Sequence, residues 1–440
     1  MKAPEPRARS APFDAVVVGA GPAGASAALC MAQRGASVLL LERGATAGSK
    51  SMFGGMLPYC PAAERLVPGF WDEAPWERHV VRRSLSLIGE GTSTTMAFEA
   101  DSFDSPPYAG VTVFRPLFDR WLAEQACKAG ATLLTGVVAR ELLKDQADRV
   151  VGVVVDGPQG QIRAPVVIAC DGVLSFLAEQ AGLRRAFNTS QMALGVKALF
   201  HVGEREINRR FDLVRRQGTT WEFLGVTEGV RGGGFLYTQL ETVSAGLVLH
   251  LDSLQSRGLA PYEILERFLA RPLVAGLLRG ARLVEYSAHL LPEGGVQMVP
   301  RLSRAGLMIA GDAAALCYTN GLVQEGMNLA MTSGLLAGET ALEALGTNDT
   351  GGDSLASYDG RLKESFVLRD MATYGRAPEM MRNERLYSVY PTLVGQILQR
   401  MFASDGNPRP SVRAIARQEL QGRGSLPRLA RDLWEGVRAI

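Results

Sequence analysis

Hydrophobic positions along the chain fall into short buried runs near both ends of its first two thirds and into alternating segments between them. In "FDAVVVGAGPAGASAALCMAQRGASVLLLERG" the apolar run Ala15 to Val18 predicts a buried strand. A glycine turn follows, Ala23 to Arg34 has helical composition, and Val38 to Leu41 predicts a second buried strand. This is a βαβ unit. Two later stretches repeat the strand-then-helix pattern. "VVIACDGVLSFLAEQAGL" predicts a strand ending at Asp171-Gly172 and a helix from about Leu174. "GLMIAGDAAALCYTNGLVQEGMNLAMTSGLLAGETALEAL" predicts a strand ending at Gly311-Asp312, a loop, and a long small-residue helix from about Gly321.

Between these units lie "RRSLSLIGE" through "TTMAFEA", and then Met192 to Leu291. Alternating pieces such as "GFLYTQL" and "AGLVLHLD" there suit a sheet open on one face. From Gly346 to Gly352 a Gly/Thr/Asn/Asp stretch marks a linker, and beyond it the chain reads mostly helical. The expected class is α/β. A discontinuous Rossmann-like domain takes residues 1–75, 112–185 and 296–345, a β-rich cap takes 76–111 and 186–295, and a helical region takes 346–440. No internal repeat is evident.

Chemistry enters at the first turn. Gly19, Gly21 and Gly24, with Ala20, Pro22 and Ala23 between them, make G-x-G-x-x-G between strand and helix, where backbone can approach a pyrophosphate at a helix end that favours anions. Glu42, followed by Arg43, ends the second strand, where an acid can accept hydrogen bonds from an adenosine ribose. A helix beginning at Gly326-Met327 would offer the positive end of its dipole to negative charge on a bound group.

Composition narrows the field. The 440 residues can bury more than one core, and the net charge of +2 is nearly balanced, so no nucleic-acid partner is indicated. Cys30, Cys60, Cys127, Cys170 and Cys317 form no Cys-x-x-Cys pair, and no secretory signal precedes them; reduced thiols in a cytoplasmic setting are expected. His79, His201, His250 and His289 lack the spacing of a zinc site, and no metal is expected. No apolar run reaches the roughly 18 residues of a spanning helix, which leaves attachment to one membrane face open.

The βαβ unit, the Asp171 stretch and the Gly311-Asp312 stretch together resemble the three fingerprints of FAD-dependent oxidoreductases of the glutathione-reductase-like, hydroxylase-type fold. The resemblance implies FAD, with Asp171, Gly311 and Asp312 among its contacts. No second G-x-G-x-x-G follows a strand, so electrons are expected from a donor other than a nicotinamide cofactor.

A narrower resemblance rests on "GSKSMFGGMLPY", "APWERHVV", "FRPLFDRWLAEQA", "GGGFLYTQLETVSAGLVL", "EYSAHLLPEGG" and "RAPEMMRNERLYSVYP". These are similar to FixC-type flavoproteins related to electron-transfer-flavoprotein:quinone oxidoreductases, from about Phe13 onward. The resemblance implies that Arg115 contacts the flavin's ribityl chain and that Ser49, Lys50, Gly54 and Gly55 run beside the isoalloxazine. Val138 would offer backbone to adenine, and Gly294 and Gly295 would offer it to a quinone carbonyl. Leu290, Leu291 and Pro292 would supply apolar walls. "HLLPEGGVQMVPR" contains hardly any group that could act as acid, base or nucleophile, and no side chain is assigned to catalysis.

Two departures stand out. No cysteine follows Cys317, so the carboxy-terminal iron-sulfur domain of the quinone oxidoreductases has no counterpart here; in the FixC branch a small ferredoxin-like subunit supplies the cluster. Ala315 stands where glycine is common.

The function so implied is electron transfer from the α/β subunits of an electron-transfer flavoprotein to a quinone, in the cytoplasm or on the cytoplasmic face of the inner membrane. Reduction of an isoprenoid double bond, as in geranylgeranyl reductases, and flavin monooxygenation are the alternatives on the same fold.

Overall fold

The strand Ala15–Val18 sits at the centre of a six-stranded sheet because its residues are buried on both faces and pair in parallel on both sides, Val16 with Leu39 and with Val167. The computed structural model describes residues 12–51, 54–157, 160–321, 323–421 and 425–439. The polar leader, and Met52 and Phe53 of the glycine-containing loop, lie outside the described residues. The sheet order is Ser303–Arg304, Leu307–Ile309, Val166–Ala169, Ala15–Val18, Val38–Glu42, Thr132–Thr135, with only the first of these antiparallel to its neighbour.

Helix Pro22–Ala32 is buried along its whole length. It is sandwiched between this sheet and helix Met327–Thr347, and small residues make the fit: a Cβ on Gly334 would overlap the Ala23 carbonyl, and Gly338 rides over Ala27 and Cys30. Of the two starts expected for that long helix, Gly321 and Gly326-Met327, the second is observed. The intervening segment instead pairs as a two-stranded ladder, Tyr318 with Glu325 and Thr319 with Gln324. The helix expected from Leu174 is likewise shorter, Phe176–Gln180, because the Ser175 hydroxyl accepts the Ala178 N–H at 3.1 Å and caps it there.

The alternating segments build a nine-stranded sheet running from Arg282–Pro292 at one edge, through Met192–His201, Thr242–His250, Gly232–Thr238, Gln217–Leu224, Trp76–Gly89 and Gly110–Phe114, to Gly54–Pro58, with Thr92–Glu99 added on Trp76–Gly89. Strand Gly54–Pro58, expected with the Rossmann-like unit, hydrogen-bonds into this sheet through Gly54–Phe114 and Gly55–Val113 pairs. One sheet face packs under helices Glu204–Phe211, Pro261–Leu269 and Pro272–Leu277 in a second apolar core containing Phe223, Leu236, Leu247 and Phe268. The other face turns toward the Rossmann-like unit.

Past Asn348, whose φ of +54° stops the long helix, the chain is helical from Gly352–Leu355 to Leu426–Ala439. Tyr358, Leu362, Val367 and Met371 join the main core, and helix Arg385–Phe402 lies across Gly89 through Pro391 and Thr392.

Candidate functional site

The glycine turn is assembled by backbone contact. A Cβ on Gly19, at φ +100°, would overlap the Cys170 carbonyl, and one on Gly24 would overlap the Gly19 carbonyl oxygen. Gly21 differs. Its backbone is extended, and the nearest atom to a Cβ there is Arg115 Nη2 at 3.9 Å, so the space above it is clear of protein. No side chain caps helix Pro22–Ala32, which leaves its positive end to an outside anion.

Glu42 is buried and fastens the turn from below. Its Oε2 accepts the Ala20 N–H at 3.0 Å and its Oε1 the Gly44 N–H at 2.7 Å. Each oxygen keeps a second lone pair, so the acid both shapes the turn and can accept a hydroxyl. Arg43, Ser49 and Lys50 are exposed, and the Ser49 hydroxyl donates to Thr46 O at 2.7 Å within its own loop.

Arg115 begins helix Arg115–Lys128 and is held in a fork by the fully buried Asp119, Nε and Nη2 each donating over 2.8 Å. The clamp aims it at the turn. A Cβ on Gly55 would meet Arg115 Cγ at 3.8 Å and Met327 Sδ at 3.2 Å, which brings strand Gly54–Pro58, Arg115 and the start of the long helix to one point. Gly311, at φ +64°, packs on Ala23 and Ala330 and so joins the two helix starts. Beside it, burial raises the Asp312 carboxyl, while the charges of His289 and Arg115 draw it down. Helix Met327–Thr347 has Gly326 at its N-cap and no side-chain cap. Asp171 lies against Gly19 with its Oδ1 buried and without a hydrogen-bond partner among the described residues, and burial raises its carboxyl. Val138 stands apart at the sheet end, 39% exposed, with its carbonyl accepting the Asp156 N–H. Ala315 takes φ +55°, so the left-handed geometry of a glycine is kept with an alanine in it.

Next to Gly55 opens a cavity of about 300 Å³ on the inward face of the nine-stranded sheet. Trp221, Phe235, Leu291 and Val323 supply apolar wall, and Gly232, Gly233 and Gly234 form a stretch of bare backbone. Gly294 and Gly295, where a quinone contact was expected, do not line this cavity, although Glu293 beside them does. The Gly294 N–H is spent on Met298 Sδ at 2.9 Å, and Gly295 is buried, with Pro378 Cγ 3.1 Å from where its Cβ would be. They form a turn. Of the three walls expected there, Leu291 lines the cavity; Leu290 and Pro292 do not.

The charged residues of the cavity were missed in the sequence. Lys197 is 3% exposed and donates to the Gly54 carbonyl and, at 2.8 Å, to Tyr237 Oη; burial, helped by Arg115, pushes its ammonium down to about 7. Glu222 and Glu293 also line the cavity, and burial pushes each up to about 7. A lone lysine in the apolar run "MALGVKALF" was the available signal. Glu293 stood inside "HLLPEGG", a stretch that looked nearly devoid of acids.

A dinucleotide suits the turn. The clear space above Gly21, two uncapped helix starts converging on Gly311, and the unpartnered Asp171 Oδ1 are what a pyrophosphate-linked cofactor with hydroxyls would complete.

Comparison with known proteins agrees. Residues 14–222 match the FAD dependent oxidoreductase family model, 192–291 match the model described as ETF-QO, ubiquinone-binding, and 377–440 match the ETF-QO/FixC family C-terminal domain. A solved structure of a geranylgeranyl bacteriochlorophyll reductase-like protein from Thermoplasma acidophilum shares the fold, with a TM-score of 0.72 at 20% identity over 96% of this chain and 99% of that one. The chain is 40% identical to the probable electron transfer flavoprotein-quinone oxidoreductase YdiS of Escherichia coli K12, over 97% of this chain and 99% of that protein. It is 42% identical to Protein FixC of the same strain, over 90% of this chain and 91% of FixC. With the FAD cradle and the adjoining cavity in one continuous chain, this protein belongs to the ETF-QO/FixC family of FAD-dependent oxidoreductases.

Proposed function

We propose that the chain takes electrons from an electron-transfer flavoprotein onto FAD and passes them to a quinone held in the cavity beside Gly55. One observation carries this reading: Gly55 touches Arg115 and Met327 on one side and lines the cavity on the other, so the cofactor cradle and the cavity share a wall. The cavity has the expected make-up for a flat, mostly apolar ring, with aromatic walls, few polar groups and bare backbone at Gly232 to Gly234. That strand falls inside the segment matched by the ubiquinone-binding model, and Gly294-Gly295 falls outside it.

FAD would lie with its pyrophosphate on Gly19 to Gly24, including Ala20, Pro22 and Ala23, and its ribose at Glu42 and Arg43. Val138 would offer backbone to the adenine. Arg115, Asp171, Gly311 and Asp312 would hold the ribityl and pyrophosphate region, and Ser49, Lys50, Gly54, Gly55, Gly326 and Met327 would surround the ring. When bound, the flavin supplies two-electron storage; the chain supplies position and a positive field from Arg115 and the start of the long helix.

An iron-sulfur centre would belong to a separate ferredoxin-like subunit, as the resemblance to the FixC branch implies. None of the helices among the described residues is long and apolar enough to cross a membrane. Helix Leu426–Ala439 nevertheless exposes Leu433, Trp434 and Val437, which suits contact with the cytoplasmic face of the inner membrane, where quinone resides.

Stopped-flow mixing tests the core of the proposal. Reduced electron-transfer flavoprotein should bleach the bound FAD, and a short-chain ubiquinone should restore its colour. Rapid bleaching by NADPH, followed by oxygen consumption or by saturation of an isoprenoid double bond, would replace the proposal with one of the alternatives on this fold.

A further inference from the structure

Quinone reduction raises a question that the cofactor cradle does not answer. Each carbonyl oxygen of the ring takes up a proton as the two C=O bonds become C–OH, and the ring sits in a cavity with mostly apolar walls. A proton source at the wall removes the need to develop an unprotonated oxyanion there.

The acidic and phenolic groups around the cavity are not equivalent. Lys197 directs N–H groups at the Gly54 carbonyl and Tyr237 Oη, and the Tyr387 hydroxyl donates to the Met381 carbonyl at 2.9 Å. Glu222 is only half-buried and feels the charge of Arg83. Glu293 is 6% exposed, lines the cavity, and has an Oε2 with no hydrogen-bond partner among the described residues. Its backbone N–H is fixed to the Gln191 carbonyl at 2.8 Å, so the residue is held where strand Arg282–Pro292 ends.

Resting on the reading that a quinone occupies this cavity, we propose that Glu293 is the proton donor to one quinone carbonyl. Two electrons from the reduced flavin enter the ring. The Glu293 O–H bond breaks as a bond forms from its proton to the carbonyl oxygen, the second oxygen takes a proton from water, and the carboxylate left behind is reprotonated from solvent. The protons released as the reduced flavin is oxidised pass to solvent and replace those drawn from water and from Glu293, so atoms and charge balance without another reactant.

The surroundings favour a loaded acid. Gln324, Cys317 and Tyr387 face Glu293 from the loop and helix packed over it, and Lys197, Tyr237 and Glu222 line the same cavity. Burial holds the carboxyl up at about 7, against the opposing influence of the Gln324 amide. Glu293 is therefore mainly protonated below about pH 7 and loses its donor as pH rises through that value. Lys197, pushed down to about 7, loses its charge over the same range. The variant comparison, not the wild-type profile alone, separates the two.

The test uses the full chain with FAD, in the variants Glu293→Gln and Glu293→Asp. Chemically reduced flavin is mixed with a short-chain ubiquinone, or with ferricenium, which takes an electron and no proton. Wild-type reoxidation by ubiquinone should slow as pH rises through about 7. Glu293→Gln should slow it about 100-fold at pH 6 and flatten the pH dependence, the size expected for loss of a general acid. Ferricenium oxidation and the flavin spectrum should be kept, and Glu293→Asp should restore part of the quinone rate. A Glu293→Gln variant with the wild-type rate and pH profile overturns the proposal, as does one slowed equally toward ferricenium. If the wild type itself is oxidised by ferricenium but not by ubiquinone, the cavity reading fails, and the role of Glu293 falls with it.

Discussion

The glycine turn at Gly19 to Gly24 and the glycine turn at Gly294-Gly295 look alike as text and differ in space. Around Gly21 a side chain would meet open room, with Arg115 Nη2 the nearest atom at 3.9 Å. Around Gly294 and Gly295 it would meet Met298 and Pro378, and Gly295 holds φ +64°. The first turn is glycine-rich partly to leave a volume empty. The second is glycine-rich because the protein has filled the volume and bent the chain. Emptiness beside an extended backbone points to a ligand, whereas positive φ with packed neighbours points to a turn.

Three substitutions would break or sharpen this contrast. Gly24→Ala has the largest expected effect: its Cβ would overlap the Gly19 carbonyl, and both partners are backbone between a central strand and a fully buried helix. Loss of roughly 4 kcal/mol or more is expected, read as failure to accumulate soluble protein or a collapsed denaturation midpoint. A stable, yellow Gly24→Ala protein would show that the turn is looser than described.

Gly21→Val should separate folding from binding. The extended conformation at Gly21 accepts a branched residue, so the apoprotein should unfold near the wild-type apoprotein midpoint. FAD affinity should fall by about 100-fold or more, roughly 2.8 kcal/mol at about 1.4 kcal/mol per decade. Flavin fluorescence titration measures it, and unchanged affinity would move the pyrophosphate elsewhere.

Gly295→Ala should be the mildest. Placing an L residue at φ +64° costs about 1 to 2 kcal/mol, with Pro378 Cγ 3.1 Å from the added methyl. FAD content and ubiquinone turnover per folded molecule should survive. Turnover lost in a well-folded variant would return the quinone to this turn and remove it from the wall at Gly232 to Gly234.

Much of the cradle was readable because its determinants are local. The strand Ala15–Val18 was anticipated residue for residue, as four apolar positions before a glycine turn allow little else. The beginning of the long helix at Met327 was partly readable. Composition extended it back to Gly321 while the dipole argument began it at Gly326-Met327, and the pairing of Tyr318–Thr319 with Gln324–Glu325 decides between them. The cavity was the least legible part. Lys197, Glu222, Tyr237 and Glu293 come from four strands or strand ends and meet only when the nine-stranded sheet closes.

The sequence by itself determined the βαβ unit with its glycine turn and the α/β class, since periodicity and turn residues act over a few positions and need no distant partner, and its longer motifs carried the resemblance to the family. Tertiary structure decided which glycines face empty space, why Glu42 is tied to Ala20 and Gly44, and that Lys197 and Glu293 share an apolar wall. The physical reason is that burial, and the shifted charge states it brings, belongs to neighbours far apart in the chain. Glu293 is one exposed-looking acid in the text and, in the fold, a buried carboxyl lining a cavity, with its Oε2 without a hydrogen-bond partner among the described residues.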